Sequence, residues 1–523
     1  MSAPDRRRWW ALAALALSVL VVGLDLTVLN LALPTLATDL HASTTQLQWI
    51  VDAYSLVLAA LLLPAGLLGD RFGRKRLLLG ALALFGAASL ACAYASSPTG
   101  LIAARAVLGV GAAVIIPLSL SVLPVLFSEE ERQRAITITV GATFVAFPIG
   151  PILGGWLLTH YWWGSVFLIN VPVIVLALLA VAVLMPESRS LRTPGLDPVG
   201  ILASGLGLAA LTYGAIDAGQ HGWGDARALT AMLAGALVLA AFVGWEWRVG
   251  RRPGGQPLVD LSLFGSRRFT WGTTLATVVS FVTFGLLFTV PQYYQVVRGT
   301  DAMGAGLRLL PLIGGLMVGA AAADRMARLA GAKATVALGF ALTAAGLGIG
   351  ATSSLDTGEG VTLGWVALLG AGLGFAMPTA MDAALSALSK EHSGVGSALI
   401  MAIRQVGATI GVAVLGSVLL AGYHARLDLT GVPEQAADAV RDSAAAGVVV
   451  AHQLGSAALA DSVRAAFVHG MDLLLWTCGG LAVAGGVLAL AFLPRRAAAV
   501  PAAGVAAPAG AEPESTVEEY VAS

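Results

Sequence analysis

The chain has 523 residues, of which 57% are hydrophobic and only 11% are charged, and its 30 basic and 30 acidic side chains balance. Soluble domains carry roughly 25% charged residues, so most of this chain cannot face water. The zero net charge gives no global attraction to nucleic acid, so no nucleic-acid partner is expected. Its two cysteines, Cys92 and Cys478, lie in apolar segments, which argues against a disulfide framework or a cysteine-based metal site.

Fourteen apolar stretches are long enough to cross a membrane, because about 20 apolar residues cover ~30 Å of hydrocarbon as a helix. The first stretch follows Arg6, Arg7 and Arg8 and exceeds the ~7–15 apolar residues of a signal peptide, so we expect a retained membrane helix. The expected fold class is an all-α polytopic membrane protein. We number the stretches as spans 1 to 14, at residues 9–33, 47–69, 77–95, 100–126, 135–158, 164–185, 198–218, 228–247, 269–296, 304–323, 334–353, 361–388, 396–421 and 470–493.

The distribution of Lys and Arg supports this count independently. If the N-terminus is cytoplasmic, 22 basic residues fall in cytoplasmic segments and 6 in outer segments. Cytoplasmic loops carry the excess of Lys and Arg in membrane proteins, and omitting one span would invert every later loop. We therefore predict a multi-pass protein of the bacterial cell (inner) membrane with both termini in the cytoplasm.

Three pairs of spans repeat the same small-residue or Asp-Arg pattern at a nearly constant offset. The pairs are Gly109, Gly111 and Pro117 with Gly370, Gly372 and Pro378; Asp70-Arg71 with Asp324-Arg325; and Gly150 and Gly154 with Gly407 and Gly411. Two six-span halves with spans 7 and 8 inserted between them are expected, and such parallel repeats are typical of rocking transporters with a substrate site at the midplane.

The predicted domains follow from this repeat. They are a cytoplasmic N-terminus (1–8), an N-terminal six-helix bundle (9–190), two inserted helices with a linker (191–268), a C-terminal six-helix bundle (269–493) with an outer loop (422–469), and a disordered cytoplasmic tail (494–523).

Several motifs resemble those of the major facilitator superfamily. They are Gly66-Leu-Leu-Gly69-Asp70-Arg71-Phe-Gly73-Arg74-Lys75 after span 2, Arg105 with Gly109 and Gly111 in span 4, and Gly141…Gly150-Pro151-Ile-Leu-Gly154-Gly155 in span 5. The stretches 24–34, 48–59 and 162–172 are similar to its 14-helix drug:proton antiporter branch, the QacA/LfrA/EmrB-like multidrug exporters. The resemblance implies a 6+2+6 helix fold, proton-driven drug export, and protons as the coupling ion with no cofactor.

The motif after span 2 resembles a conformational latch on the outward-open state. Its two glycines would let spans 2 and 11 pack closely, its acid would accept hydrogen bonds at a helix N-terminus, and its arginines would anchor the loop at an anionic leaflet. An ordinary basic cytoplasmic loop is the alternative. The candidate latch residues are Gly66, Gly69, Asp70, Arg71, Gly73 and Arg74.

The span 5 motif resembles the antiporter signature of the family. Its glycines would allow close contact between the halves, and its prolines would interrupt backbone hydrogen bonds and bend the helix. Ordinary tight packing is equally compatible with the sequence. The candidate residues are Gly141, Pro148, Gly150, Pro151, Gly154 and Gly155.

Asp25 in span 1 and Arg105 in span 4 are the main candidates for proton coupling. A charge in the middle of a bilayer costs at least ~2.5–3.5 kcal/mol, so such residues usually mark an ion or substrate path. Counted along their spans, both lie in the outer half of the membrane, on helices expected to be neighbours. An acid beside a cation keeps its charge, and parting the two in a low dielectric favours protonation.

Three further ionisable residues are candidates. Asp52, near the outer start of span 2, could recruit a cation or be a simple interfacial carboxylate. Asp382, in the inner half of span 12, could be a second protonation site. Arg404, inside span 13, could line the substrate cavity, although a structural pair with Asp382 is slightly favoured.

Several polar and aromatic side chains suit a cavity for drug-like molecules, because aromatic rings offer cation–π contact. Most membrane aromatics merely pack or anchor, and Tyr293 and Tyr294 are read as such interfacial anchors. Some members of the antiporter branch that the chain resembles carry an acid in the middle of span 10 that favours dicationic substrates. Span 10 here has no acid before Asp324, so the resemblance implies monovalent or neutral substrates. The cavity candidates are Asn30, Trp49, Tyr54, Phe144, Phe147, Phe281, Phe284, Phe288 and Arg404.

The sequence thus predicts a proton-driven exporter of hydrophobic, cationic or neutral drug-like compounds, working as a monomer. A dedicated exporter of one antibiotic or metabolite is the alternative. The sequence has no Gly-x4-Gly-Lys-Ser/Thr phosphate loop, so ATP is not expected to be the direct energy source. Catalytic and metal-ligating residues are not predicted, which disfavours a membrane enzyme.

Overall fold

The computed structural model describes residues 4–127, 129–187, 197–252, 255, 257–353, 357–388 and 393–494, and the regular structure in these ranges is helical. The N-terminal half contains span 1 (Pro4–Asp39), span 2 (Thr44–Phe72), span 3 (Arg74–Ala93), span 4 (Pro98–Ser121, continued by Leu123–Leu126), span 5 (Glu129–His160) and span 6 (Ser165–Leu168 and Asn170–Leu184). The tail predicted from residue 494 lies, beyond that residue, outside the described ranges.

The inserted pair and the C-terminal half complete the count of fourteen. They are span 7 (Pro198–His221), span 8 (Ala226–Gly250), span 9 (Arg267–Val296), span 10 (Ala302–Arg308 and the first part of Leu310–Gly350), span 11 (the rest of Leu310–Gly350), span 12 (Glu359–Leu385), span 13 (Ser393–Arg426) and span 14 (Ala457–Phe492).

A glycine separates spans 10 and 11 within one long stretch of helix. The stretch has 41 residues, so at 1.5 Å per residue it would be about 60 Å long, twice the thickness of the hydrocarbon core. Gly331 has φ of 84°, a left-handed value that glycine adopts readily, and it turns the chain back through the bilayer. The prediction of fourteen spans is therefore confirmed within the described residues.

Side-chain caps begin several spans at the positions where the apolar stretches start. Ser43 forms a capping box with Gln46 at the start of span 2, and Ser97 accepts a hydrogen bond from Gly100 N–H at the start of span 4. Asp197 caps span 7 in the same way. These caps satisfy N–H groups that the first helical turn leaves without partners.

The outer loop between spans 13 and 14 folds as two short helices, Glu434–Asp442 and Ala444–Gln453, which we call the outer cap. The Tyr423 hydroxyl of span 13 donates to Val440 O at 2.7 Å. The Thr44 hydroxyl, at the start of span 2, donates to Asp442 O at 2.8 Å. The outer cap therefore joins the outer ends of the two halves.

The two halves meet at their outer ends. Gln295 Nε2 of span 9 donates to Leu31 O of span 1 at 3.0 Å, and Gln48 Nε2 of span 2 donates to Ala413 O of span 13 at 3.3 Å. A Cβ built on Gly155 of span 5 would lie 2.7 Å from Met303 Cα of span 10. The halves are thus closed on the side that the sequence predicts to be outer, and we call this arrangement the outer-closed conformation.

The inserted spans lie beside the contact between spans 2 and 13. Span 7 packs against both of these helices, and span 8 packs against span 7. Large apolar side chains of span 8, such as Leu233 and Leu237, are 61% exposed and face the bilayer.

Candidate functional site

A buried ion pair lies inside the N-terminal half. Arg105 Nη1 of span 4 lies 2.5 Å from Asp25 Oδ2 of span 1, and the two residues are 1% and 3% exposed. Arg105 Nε donates to Ile50 O of span 2 at 3.1 Å, and the guanidinium carbon lies 4.4 Å from the centre of the Tyr54 ring. The structure therefore brings together the two residues that the sequence singled out, with a third helix holding the cation.

Asn170 of span 6 completes the surroundings of Asp25. Its Nδ2 lies 3.3 Å from Asp25 Oδ1 and 3.2 Å from Ser89 Oγ, and the Ser89 hydroxyl donates to Phe167 O at 2.9 Å. Asn170 lies in the stretch 162–172, and no role for it was predicted from the sequence. The available signal was a single amide side chain in an otherwise apolar span.

Tyr54 differs from its expected place in a substrate cavity. Its side chain is fully buried against Arg105 within the N-terminal half. The ring faces a cation of the protein itself, because span 2 turns this side toward span 4.

The described glycines of the span 5 motif make contacts within and between the halves. A Cβ on Gly150 would lie 2.0 Å from Thr27 Oγ1, and one on Gly154 would lie 2.7 Å from Val28 Cγ1, both in span 1. Gly155 meets Met303 of span 10 as described above. Span 5 therefore connects the helix that carries Asp25 to the opposite half.

Other motif residues of span 5 are only partly covered by the described structure. A Cβ built on Gly306 of span 10 would lie 2.4 Å from Pro151 O of span 5, which is a further close contact between the halves. Gly141 and Pro148 lie in a helix that the structure describes, but their side-chain surroundings lie outside the described part.

Asp52 is fully buried rather than interfacial. It is 0% exposed, and neither carboxylate oxygen has a hydrogen-bond partner among the described residues. It follows Gln48 by one helical turn and so shares the face of span 2 that meets span 13. The burial was not predictable because it depends on helices more than 150 residues away in the chain.

Asp382 and Arg404 do not pair, contrary to the favoured expectation. Arg404 Nε donates to Ser280 Oγ at 3.2 Å, Nη1 approaches Met381 Sδ at 3.8 Å, and no acid pairs with it among the described residues. Asp382 is exposed and lines a pocket with Arg268 on the side predicted to be cytoplasmic. The prediction was wrong because neighbouring spans present these two residues in different directions.

The two glycines near the end of span 2 pack against span 4 in this conformation. A Cβ on Gly69 would lie 2.0 Å from Leu118 Cδ2, and one on Gly66 would lie 4.0 Å from Pro117 Cβ. In the outer-closed conformation these glycines therefore contact span 4. The close packing against span 11 that was expected of a latch concerns the outward-open state. Gly73 ends span 2 with φ of 104°, and Arg71 is exposed.

Arg74 begins span 3 and is partly exposed. The side chain of Asp70 lies outside the described residues.

The remaining cavity candidates occupy different places. Asn30 helps line a 30 Å³ cavity between the halves, with room for about one water molecule. Trp49 packs beside spans 7 and 13, Phe288 is fully buried in the C-terminal half, and Phe281 and Phe284 are partly buried. The side chains of Phe144 and Phe147 lie outside the described residues.

Tyr293 and Tyr294 are not interfacial anchors. Each is 1% exposed, and their ring centres lie 5.4 Å apart inside the C-terminal half. The sequence position near the end of span 9 could not reveal this burial, because spans 12 and 14 cover them.

Metal ligands are not grouped in the part of the chain that the structure describes: no three His, Cys, Asp or Glu side chains are placed to hold an ion.

Comparisons with known proteins agree with this architecture. The chain is 35% identical over 499 residues to the tetracenomycin C resistance and export protein of Streptomyces glaucescens, covering 92% of this chain and 91% of that one. It is 34% identical to the multidrug efflux pump LfrA of Mycolicibacterium smegmatis, covering 89% and 92%. It is 32% identical to the methyl viologen resistance protein SmvA of Salmonella typhimurium, covering 91% and 96%.

Solved structures share the fold. A bacterial homologue of the human lysosomal transporter Spinster superimposes with a TM-score of 0.65 at 15% identity, over 95% of this chain and 100% of that one. A D-xylose–proton symporter superimposes with a TM-score of 0.61 at 15% identity, over 93% and 98%. The sequence profile of the Major Facilitator Superfamily matches residues 15–412. With paired six-span halves, a buried Asp–Arg pair and these relatives, the chain is a multi-pass membrane protein that belongs to the Major Facilitator Superfamily.

Proposed function

We propose that this protein is a proton-driven exporter of hydrophobic, cationic or neutral drug-like compounds, working as a monomer in the bacterial inner membrane with both termini in the cytoplasm. The observation that carries the proposal is the buried pair of Asp25 and Arg105 inside a rocking-transporter fold. Relatives that export tetracenomycin C, pump multiple drugs or resist methyl viologen support the substrate class.

Asp25 is the proposed carrier of the coupling proton. Arg105 and Asn170 both stabilise its ionised form by charge and hydrogen bonding. If span 1 moves relative to span 4, Asp25 loses the guanidinium and its carboxylate becomes costly in the low-dielectric interior. Uptake of a proton from the outer side then accompanies the movement, and release of the proton accompanies its reversal.

Span 5 is the proposed mechanical connection between the rocking movement and Asp25. Its glycines meet Thr27 and Val28, two and three residues after Asp25, and also Met303 of the opposite half. Packed helices move as stiff bodies, so a tilt of the C-terminal half against span 5 displaces span 1 close to the acid. This connection accounts for the glycines on two faces of span 5, because a side chain there would push span 1 or span 10 away.

Asp52 is the proposed second proton site. An unpaired ionised carboxylate is costly in a dry interior, so the outer-closed conformation accommodates the uncharged form of Asp52 best. Parting of spans 2 and 13 at their outer ends would admit water to it. Asp382, which faces the cytoplasmic pocket, is the proposed exchange point on the inner side.

The substrate path is proposed to run between the halves. Asn30 at the small central cavity, with Phe281, Phe284 and Arg404, would line it when the cytoplasmic side opens. The end of span 2 with Arg71 and the start of span 3 with Arg74 are proposed to form the latch of the outward-open state.

A dedicated exporter of a single antibiotic or metabolite is the second candidate. Two relatives favour it: the tetracenomycin C exporter and a probable actinorhodin transporter of Streptomyces coelicolor, the latter 33% identical over 463 residues. The proton mechanism would be the same, and only the range of accepted compounds would differ.

Everted vesicles with an imposed pH gradient test both candidates. We expect the wild type to accumulate ethidium and related lipophilic compounds only while the gradient is present. Asp25→Asn, which is nearly isosteric, should lower gradient-driven transport at least about 100-fold, because loss of a hydrogen-bonded buried charge pair is worth about 3–5 kcal/mol.

The control is Asp461→Asn, a change in an exposed carboxylate at the outer end of span 14. It should pump like the wild type at equal expression. Normal pumping by Asp25→Asn would refute the coupling role. Transport of a single antibiotic but of no other lipophilic compound would select the dedicated exporter.

A further inference from the structure

The inserted spans 7 and 8 are fastened to the C-terminal half at both ends. On the outer side, the Ser417 hydroxyl of span 13 donates to Ala215 O of span 7 at 2.7 Å. A Cβ on Gly219 would lie 2.7 Å from Ser417 Cβ, so the two helix backbones are in close contact there. This is a polar and glycine-dependent contact, which resists sliding.

On the cytoplasmic side, the linker after span 8 makes the second attachment. Trp245 Nε1 donates to Asp197 Oδ2 at 2.8 Å, which ties spans 7 and 8 together, and Val259 N–H donates to Glu246 Oε2 at 2.9 Å. Val259 in turn packs with the cluster around Phe269 and Ile400 of spans 9 and 13, which Leu63 of span 2 also contacts through an apolar side chain.

The contacts of span 7 with the N-terminal half are of another kind. A Cβ on Gly205 would lie 3.6 Å from Ala60 Cβ, an ordinary van der Waals distance, and Trp49 packs beside Ala215 and Ile216. Among the described residues, no hydrogen bond joins spans 7 and 8 to spans 1 to 6. An apolar contact of this sort can part without leaving a polar group unsatisfied.

The same contact covers the face of span 2 next to Asp52. Thr212 lies two turns after Gly205 and one turn before Ile216, so it shares their face and lies level with Asp52 and Ala53. Thr212 is 1% exposed, and its hydroxyl, like the Asp52 carboxylate, has no partner among the described residues.

Charged groups on the helices around span 2 lie on its other side or at other levels. Arg105, paired with Asp25, contacts Ile50 O and the Tyr54 ring, and Asp52, two residues from each, lies on the opposite side of span 2. Asp217, paired with His221, lies further out on span 7, and Arg404 lies further in on span 13. Asp52 is therefore enclosed by a polar but uncharged junction of spans 2, 7 and 13.

We infer that spans 7 and 8 move with the C-terminal half and act as a removable cover of Asp52, so that the parting of span 7 from span 2 is the step that admits outer protons to this carboxylate. The inference rests on the proposed role of Asp52 in proton coupling. It also assigns a role to the two helices that the six-span repeat leaves unexplained.

Disulfide trapping tests which half carries span 7. Cys92 and Cys478 are buried and are first replaced by Ala. The pair Ala60→Cys with Gly205→Cys joins span 7 to span 2, and the built Cβ separation of 3.6 Å is within the range for a disulfide. The pair Ala215→Cys with Ala413→Cys joins span 7 to span 13, where both backbone carbonyls accept the Ser417 hydroxyl.

We expect oxidation of the span 2–span 7 pair to reduce gradient-driven transport at least about tenfold and reduction to restore it, whereas oxidation of the span 7–span 13 pair leaves transport unchanged. The reverse pattern, arrest by both disulfides or tolerance of both would each overturn the inference.

A labelling readout separates this inference from the proposed function. Carbodiimide modification of Asp52, followed by mass spectrometry of the span 2 peptide, should fall at least about fivefold when the span 2–span 7 disulfide is formed. Unchanged labelling would overturn the cover. Normal transport by Asp52→Asn would instead refute the proton role of Asp52, while the trapping result still reports how span 7 moves.

Discussion

At the residue scale, two buried carboxylates differ in their surroundings. Asp25 has a guanidinium and an amide as partners, so its charge is compensated. Asp52 is equally buried and has no partner among the described residues. Since a charge in the bilayer interior costs at least ~2.5–3.5 kcal/mol, Asp25, unlike Asp52, has surroundings that compensate one.

Asn170 is expected to matter for coupling although it carries no charge. Asn170→Leu removes a hydrogen bond to a charged group, worth about 1.5–3 kcal/mol, and should slow gradient-driven efflux roughly 10- to 100-fold. Asn170→Asp should be more severe, because a second acid would compete for Arg105. Ser204→Ala in span 7 is the control, since its hydroxyl bonds only within its own helix turn. Wild-type initial rates in Asn170→Leu vesicles would contradict this role.

At the element scale, span 5 depends on positions where no side chain is tolerated. Gly150 and Gly154 meet span 1, and Gly155 meets the backbone at Met303. A Cβ at 2.7 Å from a Cα atom cannot be accommodated without displacing one helix. Because backbone is less adaptable than a side-chain end, Gly155 controls the closure of the outer side.

Gly155→Leu is therefore expected to hold the outer ends of spans 5 and 10 apart. Maleimide labelling of a cysteine at Leu31, which is fully buried in the outer-closed conformation, should rise at least about tenfold and transport should be lost. Gly80→Leu is the matched control, because a Cβ at Gly80 meets open space. Equal labelling in both variants would show that Gly155 does not limit closure.

The outer cap contains a carboxylate whose burial makes the cap sensitive to pH. Partial burial, with a contribution from the charge of Asp438, raises the pKa of Asp442 above its ordinary value, and His424 opposes this. The packed cap thus favours protonated Asp442. Its contribution to cap stability is complete below the ordinary value of about 4 and is lost as the pH rises through the raised pKa.

Amide hydrogen exchange in residues 434–453, corrected for the intrinsic rate, should therefore be slower at acidic than at neutral pH. Asp442→Asn should remove most of this dependence, and Asp461→Asn, at an exposed site, should not. A pH dependence that persists in Asp442→Asn would assign it to another group.

At the scale of the whole molecule, few hydrogen bonds hold the outer side closed. Gln295 to Leu31 O, Gln48 to Ala413 O and Thr44 to Asp442 O are among those that join the halves. Each is worth about 0.5–1.5 kcal/mol net, so together they bias the equilibrium without locking it. A transporter that must rock requires such a small difference between its conformations.

Gln295→Met should shift the population toward the open outer side by about 2- to 12-fold, the equivalent of one such hydrogen bond. Spin labels at Ser97 and Gly358, the outer caps of spans 4 and 12, would report a larger fraction of long distances. Thr230→Val in span 8 should leave the distribution unchanged, since its hydroxyl bonds within its own helix. An unaltered distribution in Gln295→Met would mean that this contact does not set the balance.

The number of spans, the paired halves and the proximity of Asp25 to Arg105 could be predicted from the sequence. The physical reason is that the bilayer imposes a length on every apolar helix and a cost on every buried charge, and both appear directly in the order of residues. The family, confirmed by its relatives, followed from motifs that are contiguous in the chain.

Only the tertiary structure decided which side chains meet. Tyr54 faces Arg105 rather than a cavity, Arg404 faces Ser280 rather than Asp382, and Asp52 is fully buried rather than interfacial. Uniformly apolar helices do not reveal their rotation, because every face can pack against protein or lipid. The neighbours of a buried polar residue in a membrane bundle therefore depend on packing between distant segments, which no local pattern in this sequence encodes.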